Sequence, residues 1–210
     1  MKKRYAALAL ALAGILSGCG QTKAPAGSQP ADNTVSIAPA AAAEDKTGKL
    51  VEYDFSGNKT DANGVEFAYY TWNGSEWEKD DRGVSGIYAE KLGSSEGTIK
   101  FERSGDEENA DYTIEVDSPE FGGSTQTADS PERDSLPTEG LSAAAAAQTD
   151  AIDDLAVDAE IPLLVRVFRT DGTDAEVSID AFSDPDSCEA LKDCAFAEAY
   201  TVTFVSKPIK

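Results

Sequence analysis

The chemistry open to this chain is set by carboxylates, three Cys and a few clustered aromatics, because its 210 residues include no His. Without an imidazole there is no Ser or Cys triad with His, no zincin site and no c-type haem ligation. A pair of Asp or Glu could still run glycoside hydrolysis, but no local motif singles out such a pair. Acid clusters at Asp106-Glu107-Glu108, Asp153-Asp154 and Asp184 to Asp186 invite a calcium reading. None has the EF-hand order of alternating oxygen ligands, internal Gly and terminal Glu, so they read as solvated loops, and no metal or cofactor is expected. Ser56-Gly57-Asn58-Lys59 and Lys46-Thr47-Gly48 match elements of the penicillin-binding set, but in reversed order and without Ser-Asp-Asn, so the match is coincidence. The aromatics Tyr70, Trp72 and Trp77, joined by Tyr88, are the candidate binding residues. Exposed on one plane they would stack on sugar rings; packed against a second layer they would be core.

The elements that must position these groups show a period of two. Val51, Tyr53 and Phe55 alternate with acids, as do Ile99, Phe101 and Arg103 with Lys100 and Glu102, and Tyr112, Ile114 and Val116 with polar residues. These predict strands with one wet face. Further candidates lie at 65–72, 75–79, 84–91, 161–170, 176–182 and 200–205. Short strands divided by Gly, Asn, Asp and Ser turns predict a mostly β, antiparallel β-sandwich or jelly-roll-like domain over 50–210. Asn73-Gly74 predicts a two-residue turn that sets Tyr70 opposite Trp77. Asp171 to Thr173 predicts a loop aligning Val165 and Val167 with Ile179 and Val177. Residues 118–141, rich in Ser, Thr, Pro and acid, predict an exposed loop. One short helix is expected around 142–157, capped by Ser142, with Leu141, Ala145, Ile152 and Leu155 on one stripe.

The first residues carry a processing signal. Lys2, Lys3 and Arg4 form a basic head, and Ala6 to Ile15 is an uncharged small or apolar run. It is too short to cross about 30 Å of hydrocarbon, which takes roughly 20 helical residues. It ends in Leu16-Ser17-Gly18-Cys19, which resembles the lipobox of bacterial lipoproteins. The resemblance implies removal of residues 1–18, a diacylglyceryl group on the Cys19 sulfur, and Cys19 as the new amino terminus. Two or three acyl chains hold where one is marginal, since each buried CH2 contributes about 0.8 kcal/mol. Removing Lys2, Lys3 and Arg4 and no acid takes the formal charge from −21 to −24. Residues 19–49, rich in Ala, Pro, Gly, Ser and Thr, are expected to be a disordered tether.

With Cys19 lipidated, Cys188 and Cys194 are an even pair in an exported protein and are expected to form a structural disulfide. A continuous helix between them would hold their Cα atoms roughly 9 Å apart, so the bridge requires a bend. The acidic charge repels polyphosphate, which excludes nucleic acid. The sequence thus predicts a lipid-anchored protein on the extracytoplasmic face of the cell membrane. Its β-rich domain is expected to bind a cell-wall glycan or an envelope protein and to be no enzyme. The rival readings are a carboxylate-dependent glycan hydrolase and a small solute-binding lipoprotein.

Overall fold

The computed structural model describes residues 31–40, 48–88, 91–105, 110–120, 124–129 and 140–207. The signal segment, Cys19 and the cluster Asp106-Glu107-Glu108 lie outside the described residues, as do 20–30, 41–47, 121–123 and 130–139 of the expected tether and loop.

Period-two alternation produces two antiparallel sheets packed face to face. One is six-stranded, in the order β7-β6-β5-β2-β1-β9; the other is five-stranded, β4-β3-β11-β10-β8. The strands are β1 (Thr34–Pro39), β2 (Leu50–Asn58), β3 (Gly64–Trp72), β4 (Trp77–Tyr88), β5 (Glu96–Gly105), β6 (Ala110–Asp117), β7 (Ser124–Asp129), β8 (Ser142–Gln148), β9 (Ile152–Ala156), β10 (Glu160–Arg169) and β11 (Phe196–Val205). This is the expected β-sandwich.

Its core is filled by the alternate residues that face the opposite sheet. Val51, Tyr53, Phe55, Ile99, Phe101, Ile114 and Val116 of the first sheet meet Val65, Phe67, Tyr69, Leu164, Val202 and Phe204 of the second, all buried. Phe55 and Phe204 bring their ring centroids to 5.3 Å across the interface. The Tyr53 hydroxyl, unable to reach water, donates to the carbonyls of Thr149 and Leu163, each at 3.0 Å.

Several expectations are corrected. The helix around 142–157 does not form: that stretch is β8 and β9, which pair with β10 and β1 in different sheets. Alanine's helix propensity is a weak preference that tertiary packing overrides. Here small side chains are needed on both faces of β8, since Ala145 packs on the outer side of its sheet and Ala146 on the inner. Residues 34–39 are no tether. β1 lies between β2 and β9, with Val35 and Ile37 in the core, so the folded domain begins well before residue 50. Within 118–141, residues 124–129 are β7, paired with β6.

The segment 176–182 is not a strand. β10 takes β8 and β11 as neighbours, with Val165 opposite Ala147 and Ala199, and Val167 opposite Ala145 and Ala197. The expected alignment of Val165 and Val167 with Ile179 and Val177 is therefore not made, although the chain does turn at Asp171, whose Oδ1 accepts from Thr173 N and Oγ1 at 2.9 and 2.8 Å, and Gly172 has φ +69°. After that turn the chain lies across the sheet as a cover. It contains 3-10 turns at Ile179–Phe182 and Pro185–Ser187 and one helical turn, α1 (Glu189–Lys192). The candidates 75–79 and 84–91 merge into the single strand β4, with a register irregularity opposite Ala68.

Candidate functional site

Among the described residues, three places in the sandwich bear on the candidate chemistry. The first holds the expected aromatics. The β3–β4 connection is a four-residue turn, Asn73 to Glu76, so Trp72 faces Trp77 and Tyr70 faces Lys79. This register differs by two residues from the expected one, which leaves the same side chains on the same face. That face is the outer side of the five-stranded sheet, and the 171–195 cover lies on its aromatic end. Phe182 contacts Tyr70 and Trp77 at centroid distances of 5.0 and 5.7 Å, Trp72 and Trp77 stand 5.4 Å apart, and Trp77 Nε1 donates to Ala181 O at 3.0 Å. Val167, Ala197, Ala181 and Leu191 complete a second small core there. The two indoles are therefore packing residues. Tyr70 is held by its hydroxyl on Glu160, at 2.9 and 3.0 Å from the two carboxylate oxygens. Tyr88, beyond the cover, lies half exposed over Gly64 and Gly86 and bonds Glu66.

The expected Cys188–Cys194 disulfide is absent; both residues are free thiols. The helical turn Glu189–Lys192 stands between them, and both side chains pack against the second core. Cys194 donates to Leu191 O at 3.3 Å, and burial pushes its thiol above the ordinary range, the environment of an inert Cys.

The second place is an ion pair sealed between the sheets. Arg166 Nη1 lies 2.8 Å from Glu198 Oε1, and both side chains are wholly buried. Glu198 Oε2 also accepts from the hydroxyls of Tyr69 and Tyr112 at 3.1 and 3.2 Å, and the Arg166 guanidinium lies 4.7 Å over the Phe168 ring. Tyr200 completes the group, its hydroxyl pushed well up by burial beside Glu198. No ligand can reach these groups without parting the sheets, so their role is in the fold.

The third place is open. A groove of about 930 Å³ crosses the outer face of the six-stranded sheet, within the size range of ligand clefts. Small outward residues make its bed: Ser36 and Ala38 of β1, Ser56 of β2, and Thr98 of β5. Pro119 and Asp153 stand among its walls, and Asp54, Glu96 and Asp117 supply carboxylates. Gly97 sits beneath with no room for a side chain, because a Cβ there would collide with the Asp117 carbonyl and the Phe55 ring.

Cross-strand register explains why these acids are available. One row along the sheet reads Asp54–Thr98–Asp117 across β2, β5 and β6; the next reads Glu52–Lys100–Glu115. In the second row Lys100 sits between the acids, 3.9 Å from Glu115 and 2.8 Å from Glu102, and its own ammonium is stabilised chiefly by Glu102. In the first row a Thr occupies the central position. Among the described residues, none of the carboxylates of Asp54, Glu96, Asp117 and Asp153 is paired with a cation. Neighbouring strands lie about 4.8 Å apart, which sets the Cα atoms of Asp54 and Asp117 roughly 10 Å from each other. Both side chains are exposed, without the apolar enclosure that keeps a glycosidase acid protonated. The arrangement offers fixed acceptors to a ligand rich in donors.

Sequence reasoning read Asp54 and Asp117 as the wet face of strands, which they are, whereas Asp153 was expected on a helix and lies in β9. Their convergence depends on pairing β2 with β5, across an intervening excursion through the other sheet, and no local pattern reveals that. No helix among the described residues is long and apolar enough to cross a membrane. Comparison with family models, curated proteins and solved structures finds no match to this chain.

Proposed function

We propose that the protein is a lipid-anchored component of the bacterial cell envelope. Cys19 carries the anchor, and the β-sandwich binds an envelope glycan in the groove across its six-stranded sheet. The observation that supports this reading is the row Asp54–Thr98–Asp117, two carboxylates flanking a hydroxyl on an open concave face with no cation between them. Sugar hydroxyls are donors in pairs, and a carboxylate accepting from them forms charge-assisted bonds of about 1.5–3 kcal/mol each. The domain acts by binding; a hydrolase would need one of the pair held protonated.

The anchor and the domain are close together. From Cys19 to Ala31, whose N–H is bonded to Asp154 at 2.9 Å, the chain can span at most about 40 Å even when fully extended. The groove is therefore kept within the first layers of envelope polymer above the membrane.

Titration of the detergent-solubilised protein with soluble cell-wall glycan fragments tests the site. Asp54→Asn with Asp117→Asn should weaken binding by about tenfold or more per carboxylate, since about 1.4 kcal/mol is a factor of ten. Glu102→Gln, outside the groove, should leave it unchanged. Equal affinity of the double variant and the parent would remove the groove from the account, and release of new reducing ends would replace binding by hydrolysis.

A further inference from the structure

The chain contains two Asn-Gly pairs, Asn63-Gly64 and Asn73-Gly74. In this dipeptide the Gly amide nitrogen can attack the preceding side-chain carbonyl, because no Cβ obstructs the approach. As sequence the two are equivalent; the fold separates them.

Asn63 is locked. It is buried, its backbone N–H donates to Val205 O at 2.9 Å, its Oδ1 accepts from Lys207 N at 2.8 Å, and its Nδ2 is bonded to the Lys207 carbonyl. Gly64 is paired on both sides, with Val205 and Tyr88, and lies beneath the Tyr88 ring. Neither residue can rotate toward the other without dismantling the start of β3.

Asn73 is poised. It lies in the exposed β3–β4 turn, followed by a Gly with φ +99° and nothing within 4 Å of where its Cβ would stand. Three donors converge on Asn73 Oδ1: Ser75 N–H at 2.9 Å, Ser75 Oγ at 3.0 Å and Glu76 N–H at 2.9 Å. Such donors bind an oxyanion more strongly than a neutral carbonyl, so they favour a tetrahedral intermediate over the resting amide. On the opposite side, Nδ2 donates to Glu78 Oε1 at 2.6 Å, a carboxylate placed to accept from the departing nitrogen.

We propose that Asn73 is a self-modifying site, at which Gly74 N closes on Asn73 Cγ to give a cyclic imide that water opens to aspartate or isoaspartate, while Asn63 stays intact. Gly74 N loses its proton to solvent base and forms the new bond to Cγ. The negative charge passes to Oδ1 beneath its three donors. When the carbonyl re-forms, the Cγ–Nδ2 bond breaks and Nδ2 leaves as ammonia with a proton from water. One water molecule then adds to either imide carbonyl, the bond from that carbon to Gly74 N breaks, and the nitrogen takes back a proton. Nothing is oxidised or reduced. The product carries one more negative charge beside Glu76 and Glu78. In the isoaspartate form the main chain is longer by one carbon, at the turn that sets Trp72 opposite Trp77.

The test is site-resolved peptide mass spectrometry of the full chain aged at mildly alkaline pH, with tryptophan fluorescence followed in parallel. Asn73 should convert about tenfold or more faster than Asn63, and Ser75→Ala, which removes one donor, should slow it several-fold. Fluorescence should change with the fraction of isoaspartate. Comparable conversion at Asn63 and Asn73, or an unchanged or faster rate in Ser75→Ala, overturns the proposal. Both substituted and modified positions are exposed, so loss of the fold does not obscure the result.

Discussion

Replacing Glu198 by Ala should destabilise the protein by about 3–5 kcal/mol, the usual cost of leaving one member of a buried ion pair without the other. Arg166 and Glu198 are both wholly buried, 2.8 Å apart, and enclosed by Tyr69, Tyr112 and Phe168. Removing the carboxylate would take from the guanidinium its partner at 2.8 Å in a site where water cannot replace it, and would take one acceptor from two Tyr hydroxyls. For a domain of this size the melting temperature should fall by about 10 °C or more. The double variant Arg166→Met, Glu198→Leu should be more stable than Glu198→Ala, because apolar replacements of similar volume remove the desolvation cost along with the attraction. Thermal denaturation of the three proteins checks the order; a Glu198→Ala protein as stable as the parent would show that the pair is not sealed between the sheets.

Trp77→Ala should loosen the cover over the five-stranded sheet and leave the groove untouched. The indole contacts Trp72 and Phe182 and donates to Ala181 O, so its loss opens the centre of the second core. The ring is only partly buried, so the cost should be about 2–3 kcal/mol, below the range for a fully buried Trp. Cys188 and Cys194, which pack on the same cluster, report the change: their reaction with an aromatic disulfide reagent should accelerate several-fold as the 171–195 segment opens more often. Glycan affinity should be unaltered. If affinity falls and thiol reactivity does not, the aromatics are a binding platform after all.

Much of the sandwich is legible in the chain because its strands have one wet face. Val51-Tyr53-Phe55 and Tyr112-Ile114-Val116 announce both their conformation and their buried side. Legibility fails where an element depends on a partner. The Ala run of β8 has no periodicity, and only the need for small residues on both of its faces makes it a strand. Val35 and Ile37 of β1 do alternate, but low-complexity Ala and Pro around them obscure the signal. The turn at Asn73 follows the dipeptide rule only in part, since the Asn side chain gathers Ser75 and Glu76 into a longer loop. Leu163 to Phe168 are buried without a break, Arg166 among them, because the returning cover buries the outer face of β10 as well, a contact made between residues distant in sequence.

The groove was the least legible feature, for the same reason. Asp54, Thr98 and Asp117 are separated in the chain and adjacent only through pairing, and what distinguishes their row from the next is a Thr in place of Lys100. The aromatics that composition draws attention to are spent on packing. A groove made of small residues and unpaired acids carries no local signature.

The proposed function depends first on Cys19 being the membrane anchor. Intact-mass analysis of the mature protein, recovered from the membrane fraction of cells with an active lipoprotein pathway, tests that directly. The account predicts a chain beginning at Cys19 and heavier than its sequence by a diacylglyceryl group, and a Cys19→Ser protein lost from the membrane. A chain retaining residues 1–18, or an unmodified Cys19 in protein released to the medium, would contradict it.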